Sequence, residues 1–326
     1  MRRREFVALL GGAAAIWPLR TQAQRPTKPA RLGFLGATFA TNWSSRLESF
    51  RSGLRDFGYV EGRNVFIDYR WANENYDRLP DLAGELVRLN LDIILTYGTP
   101  ATLATRRATT DIPIVFVYSG DAVAAGVVAA LNQPGANVTG STYFLPQLMA
   151  KRLELLRETI PNLKRAAVLV KPDNPLFKST LPVLESAAGS LGVELQQFHV
   201  TNANELESAF SSMEKSQIGG VVVQEDAVFL SHVNAVASLA LRHSLPLVGS
   251  SEFAAAGGLL GYGVDFLEMC RHAAVFVDKI LKGTKPSDIP VEQASKFETV
   301  LNRKVANSIG VSVPTSILLR ADRVIE

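Results

Sequence analysis

The sequence predicts an α/β protein of two lobes, each built on a parallel sheet flanked by helices. Three observations carry this. From about residue 30 onward, short runs rich in Val, Ile and Leu alternate with longer segments of helical period. The runs are apolar throughout rather than alternating with polar residues, the pattern of strands covered on both faces. The alternation also occurs twice along 326 residues that are 47% hydrophobic, enough for two packed cores.

Taken in order, the first half offers strands at RLGFLGA (31–37), NVFIDYRW (64–71), LDIILTYG (91–98), IPIVFVYS (112–119) and NVTGSTYF (137–144). Between them, residues 42–57 place Trp43, Leu47, Phe50, Leu54 and Phe57 on one helical face, with Gly58 as a natural stop. Residues 78–89 repeat the pattern with Leu79, Leu82, Leu86 and Leu89. In the second half the strands are RAAVLV (165–170), VELQQFHV (193–200), GGVVVQ (219–224) and LPLVGS (245–250), with helices over roughly 147–160, 176–191, 204–216 and 228–243. A short strand in GLLGYG, a helix at 266–282, a strand ETVLN and a helix near 303–309 follow. These late elements predict multiple crossovers between lobes. Residues 30–145 plus about 256–284 form one lobe, and 146–255 plus about 285–326 the other.

The first 23 residues read as a separate object. Three arginines in MRRREF precede the apolar FVALLGGAAAIW, and Thr21-Gln22-Ala23 follows as a small-residue exit. This is an export signal, too short to anchor, and Arg3-Arg4-Glu5-Phe6-Val7 matches the twin-arginine (Tat) pattern. A plain Sec signal or an uncleaved anchor is the alternative. The whole chain holds 34 basic and 31 acidic residues. Arg2, Arg3, Arg4, Arg20 and Glu5 belong to the signal, leaving 30 of each. A near-neutral mature chain lacks the basic face that nucleic-acid binding needs. Cys270 is the single cysteine, so no internal disulfide is expected. Its apolar helical setting suits a buried thiol better than a nucleophile.

Ligands of open parallel sheets bind beyond the carboxyl ends of the strands. Those ends here are Ala37-Thr38-Phe39, Tyr97-Gly98-Thr99, Ser119-Gly120-Asp121, Lys171-Pro172-Asp173-Asn174, Gln224-Glu225-Asp226 and Ser250-Ser251-Glu252, small or hydrogen-bonding almost throughout. In TYGTP, Gly98 allows a tight turn, Thr99 is placed as N-cap and Pro100 as the first helical residue. The amides of that helix start suit a carboxylate. A helix that is simply well capped explains the stretch equally well. The shared polar character of six junctions favours a ligand site. Asp121, Asp226 and Glu252 are candidates for an ammonium group, or are caps and rim charges. Tyr97, Tyr143 and Tyr262, where strands meet loops, can stack on a ring. Trp43 and Phe229 sit at helical spacing and read better as core.

The chain has no P-loop and no G-x-S-x-G, and its glycines do not form G-x-G-x-x-G after a strand. His199, His232, His243 and His272 are scattered without metal-type spacing. No cofactor and no metal are expected, and an exported enzyme is disfavoured.

The combination of RRREFVALLGG, LRDFGYVEGRNVFIDYRWA, LTYGTPATLA, IPIVFVYSGDAVAAGVVAAL, NVTGST, EFAAAGGLLGYG and ETVLNRKVANSIGVSVP resembles the ABC transporter substrate-binding family that includes tryptophan- and tyrosine-type binding proteins, over nearly the whole mature chain. The resemblance implies a type I periplasmic binding protein: two Rossmann-like lobes, three crossing segments, and a small solute clamped between them for delivery to an inner-membrane permease and its ATPase. It implies an amino acid or aromatic carboxylate as ligand. By position it implies contacts from Thr38, Gly98, Thr99, Ser119, Gly120 and Asp121 in one lobe, and Asn174, Gln224, Asp226, Ser250 and Glu252 in the other. One stretch departs from the pattern: after LP the chain has LVGSSEF, so Val248, Gly249 and Ser250 are expected to widen or polarise that wall. The expectation is a periplasmic solute receptor without catalysis. The alternative is a periplasmic ligand sensor for a membrane signalling protein.

Overall fold

The computed structural model describes residues 28–326; the expected export signal lies outside them. The chain begins with β1 (Ala30–Gly36), α1 (Ser44–Asp56), β2 (Val65–Trp71), α2 (Leu79–Val87), β3 (Ile93–Tyr97), α3 (Thr99–Ala108), β4 (Ile114–Ser119) and β5 (Val138–Thr142). It continues through α4 (Leu145–Thr159), β6 (Arg165–Val170), α5 (Phe177–Ser190), β7 (Glu194–His199), α6 (Leu206–Lys215), β8 (Val221–Val223), α7 (Ala227–Ser231), α8 (Val233–Arg242), β9 (Leu247–Gly249) and α9 (Ser251–Ala255). It ends with β10 (Leu260–Val264), α10 (Phe266–Leu281), β11 (Glu292–Gln293), β12 (Phe297–Asn302), α11 (Arg303–Ser308), α12 (Thr315–Arg320) and β13 (Arg323–Ile325).

Two sheets result, in the orders β11-β5-β4-β3-β1-β2 and β13-β12-β10-β9-β8-β6-β7. Among the described residues every ladder between these strands is parallel except β10–β12. Strands β3, β4 and β5 are buried along their whole length, which is why their sequences are continuously apolar or small. Helices cover both faces. In the first lobe, α1 turns Phe50 and Leu54 onto α10, which buries Ala273, Ala274, Phe276 and Val277 in return.

The chain passes between lobes three times: from β5 into α4, from β10 into α10, and from β11 into β12. The lobe limits expected from sequence shift accordingly. GLLGYG is strand β10 of the second sheet, paired with β9, and only α10 and β11 return to the first lobe. Periodicity identifies such a strand but not its partner. The expected helix over 228–243 also divides at His232, whose φ of −112° and ψ of 29° are not helical. At the first crossing Phe144 sits in left-handed backbone with φ 52°, an uncommon setting for a bulky side chain.

Candidate functional site

The carboxyl ends of both sheets face each other across a narrow crevice. The first lobe contributes Ala37, Tyr76, Tyr97, Gly98, Thr99, Pro100, Tyr118, Gly120 and Tyr143. The second contributes Asn174, Leu176, Glu225, Asp226, Ala227 and Leu230.

The first wall is aromatic because three adjacent strands each end in a tyrosine: Tyr97 from β3, Tyr118 from β4 and Tyr143 after β5. Tyr97 and Tyr118 meet edge to face with centroids 5.3 Å apart, and Tyr118 and Tyr143 do so at 6.1 Å. Phe266 backs Tyr118 at 4.8 Å and Tyr143 at 5.5 Å, while Trp43 backs Tyr97 at 4.8 Å. Such pairs contribute about 0.5–1.5 kcal/mol each beyond area burial, so the rings are held before any ligand arrives. Burial pushes the Tyr97 phenol up to about 12 and moves those of Tyr118 and Tyr143 well above their ordinary value, so all three stay neutral.

Beside them the TYGTP corner opens helix α3. Gly98, not Thr99, is its N-cap: φ is 81°, a conformation that favours glycine, and no side chain caps the helix. Thr99 is the first helical residue, and its Oγ1 is engaged with Ser119 Oγ at 2.9 Å. With Pro100 lacking an amide hydrogen, the amides of Thr99 and Ala101 are the donors of this helix start, at the positive end of its dipole.

The second wall carries the charge. Asp226 follows β8 and caps α7 through the Val228 amide at 2.9 Å. Its Oδ2 accepts from Asn174 Nδ2 at 2.8 Å and from the Tyr76 hydroxyl at 2.7 Å. Burial raises its pKa, against the pull of these three bonds. Glu225, next to it, is neutralised from beneath: Arg152 of α4, fully buried, donates to both its carboxylate oxygens. Arg152 is fixed in turn by the Tyr262 carbonyl at 2.8 Å. Among the described residues Asp226 is therefore the wall carboxylate without an arginine partner.

Several contacts cross between the lobes: the Thr38 and Ser231 hydroxyls, the Arg46–Glu252 ion pair, Tyr76 with Asp226, and Glu74 Oε2 with His232 Nε2 at 3.2 Å. Gly120 permits the closest approach, since a Cβ there would stand 2.4 Å from Leu176 of the other lobe. These contacts describe a closed cleft.

Of the residues singled out from sequence, Tyr97, Gly98, Thr99, Gly120, Tyr143, Asn174 and Asp226 line the crevice. The others lie off its wall. Ser119 supports Thr99, and Thr38 and Glu252 join the lobes. Asp121 turns its Oδ1 onto the amides of Val123 and Ala124, at 3.2 and 2.9 Å. Gln224 and Ser250 are fully buried, with side-chain polar atoms that have no hydrogen-bond partner among the described residues. Tyr262 stacks on Phe297 at 6.0 Å. Val248 and Gly249 are sheet-interior, and a Cβ on Gly249 would meet the Phe253 ring, so LVGSSEF does not shape the wall. Tyr76, Tyr118 and Glu225 are the polar wall residues that sequence reasoning did not select. Glu225 was visible in the strand-end pattern, whereas Tyr76 comes from the junction after β2, which lacks that pattern. Among the described residues no group of three His, Cys, Asp or Glu is arranged to hold a metal ion, and no helix is long and apolar enough to cross a membrane.

A tyrosine-binding protein of Clostridioides difficile is 27% identical over 263 residues, covering 80% of this chain and 75% of that protein. An ABC domain from Streptococcus pneumonia solved in complex with L-Trp superposes with a TM-score of 0.83 at 26% identity, covering 91% of this chain and 99% of the other. The ligand-free, open structure of a substrate binding protein with adhesive properties from Clostridium difficile, 25% identical and with the same coverage, superposes at only 0.64. That order fits the closed cleft described above. The family described as ABC transporter substrate binding protein matches residues 44–325, and the chain belongs to that family.

Proposed function

We propose that the protein is the extracytoplasmic receptor of an ABC importer and that it captures an amino acid with an aromatic side chain for delivery to a membrane permease and its ATPase. The observation that carries this reading is the pairing, in one crevice, of the α3 amides on the first lobe with the Asp226 carboxylate on the second. A zwitterion satisfies both: its carboxylate meets the Thr99 and Ala101 amides, and its ammonium meets Asp226. The side chain then lies among Tyr97, Tyr118 and Tyr143. The names of the relatives, one tyrosine-binding and one bound to L-Trp, support the same class. The N-terminal segment read as an export signal supports a location outside the inner membrane.

Thermal denaturation with L-tyrosine, L-tryptophan and L-phenylalanine tests it. A ligand at 100 times its Kd stabilises by about 2.7 kcal/mol, a clear rise in Tm. Mass spectrometry of the purified protein identifies any solute it retains. No rise with any amino acid or aromatic carboxylate at millimolar concentration refutes the reading.

A further inference from the structure

The following rests on Asp226 being the ammonium acceptor. We propose that Tyr76 couples closure of the lobes to ligand capture, by carrying a hydroxyl of the first lobe onto the carboxylate of the second that receives the ligand.

Four observations support it. First, the segment bearing Tyr76 moves with the first lobe. The amides of Ala72, Asn73 and Glu74 donate to the carbonyls of Gly36, Thr38 and Ala37 at 2.8, 3.2 and 2.8 Å, prolonging the β1–β2 pairing. Asn73 and Glu74 are both left-handed, with φ of 53° and 66°, which turns the chain toward the second lobe at a conformational cost. Second, the segment's cross-cleft partners sit on separate elements of the second lobe. Tyr76 donates to Asp226 at 2.7 Å, its ring lies 4.4 Å from Lys171 Nζ, and Glu74 meets His232 at 3.2 Å. Third, Lys171 is buried and held by Asp173 at 2.5 Å, so the ring docks on a fixed cation.

Fourth, a carboxylate offers about four lone-pair positions. At Asp226, Tyr76 and Asn174 occupy Oδ2 and the Val228 amide occupies one position of Oδ1. One position remains for a ligand donor. The closing contact and the ligand contact therefore share a single charged group. Opening the cleft withdraws Tyr76 and returns Asp226 to water. Closing without a ligand donor buries the carboxylate with one position unfilled.

The test is Tyr76→Phe, which keeps the ring over Lys171 and removes only the hydroxyl. Stopped-flow fluorescence with L-tyrosine and L-tryptophan is expected to show release faster by about 10- to 100-fold, the range for a hydrogen bond to a charged group. Association should stay within about threefold of wild type. In an Asp226→Asn background the same change should accelerate release by less than about a fifth of that factor, which a merely structural tyrosine would not do. Double electron–electron resonance between spin labels at Asp111→Cys and Lys178→Cys, with and without L-tyrosine, should give longer inter-lobe distances in Tyr76→Phe. Distances unchanged in both conditions, or equal acceleration of release in both backgrounds, overturn the role of Tyr76. Altered distances in a protein that binds neither amino acid leave that role standing and overturn the ligand assignment alone.

Discussion

The two walls of the cleft are chemically unlike. The first lobe presents three neutral tyrosines from adjacent strands and the amides of a helix start. The second presents Asn174, a carboxylate already matched to an arginine, and a second carboxylate, Asp226, that has none. One wall suits a flat ring and an anionic group, and the other suits a cation. On the proposed reading neither wall alone recognises an amino acid, so recognition is completed only when the walls meet, and closure becomes part of selectivity.

The largest way to break this asymmetry is Asp226→Asn. It keeps the shape of the cap and removes the charge. Amino-acid affinity measured by calorimetry should fall by about 30- to 1,000-fold, consistent with about 2–4 kcal/mol for truncating a buried charged pair. A tyrosine analogue lacking the ammonium group should lose far less.

The same contrast is expected with pH. Burial holds the Asp226 pKa above its ordinary value of 3.8, so in the closed protein this carboxylate takes up a proton at a pH where a free aspartate is still ionised. An ammonium ligand requires the ionised form. Affinity should fall as the pH drops through that raised pKa. Titrations from pH 8 downward should show this loss in wild type and its absence in Asp226→Asn.

Gly98→Ala tests the other wall at smaller cost. With φ at 81°, a Cβ is strained whatever the space around it. Stability should fall by about 1–2 kcal/mol, read from urea denaturation, and amino-acid affinity by about tenfold as the α3 amides shift. The smallest effect belongs to Asp121→Asn. That carboxylate caps a turn and does not line the crevice, so affinity should stay within about twofold and stability fall by less than about 1 kcal/mol.

Much of the fold was legible in the sequence. Val- and Ile-rich runs marked the strands because burial on both faces tolerates little else. The crevice lining was legible where it depends on strand ends: Tyr97 ends a strand, Gly98, Thr99, Gly120, Asn174 and Asp226 follow one, and all six line the crevice. The misplacements have local causes. Positive φ at residue 98 gives Gly98 the cap position, a backbone fact that residue type alone does not assign to one of two neighbours. Gln224 and Glu225 both follow β8, and only the fold shows that Glu225 reaches the crevice and Arg152. Ser250 and Glu252 follow β9 in the expected way yet serve the sheet interior and the Arg46 latch. Tyr76 was invisible because its role exists only across the cleft, between residues 150 positions apart.

The threefold passage of the chain has a consequence for biosynthesis. The first lobe lacks the α10 cover over Phe50 and Leu54 until residue 281 has been made, and its edge strand β11 is later still. The second sheet gains β12 and β13 only within the last thirty residues. Neither half is a contiguous stretch that a ribosome could release to fold ahead of the other. The polypeptide must be nearly finished before either half is whole.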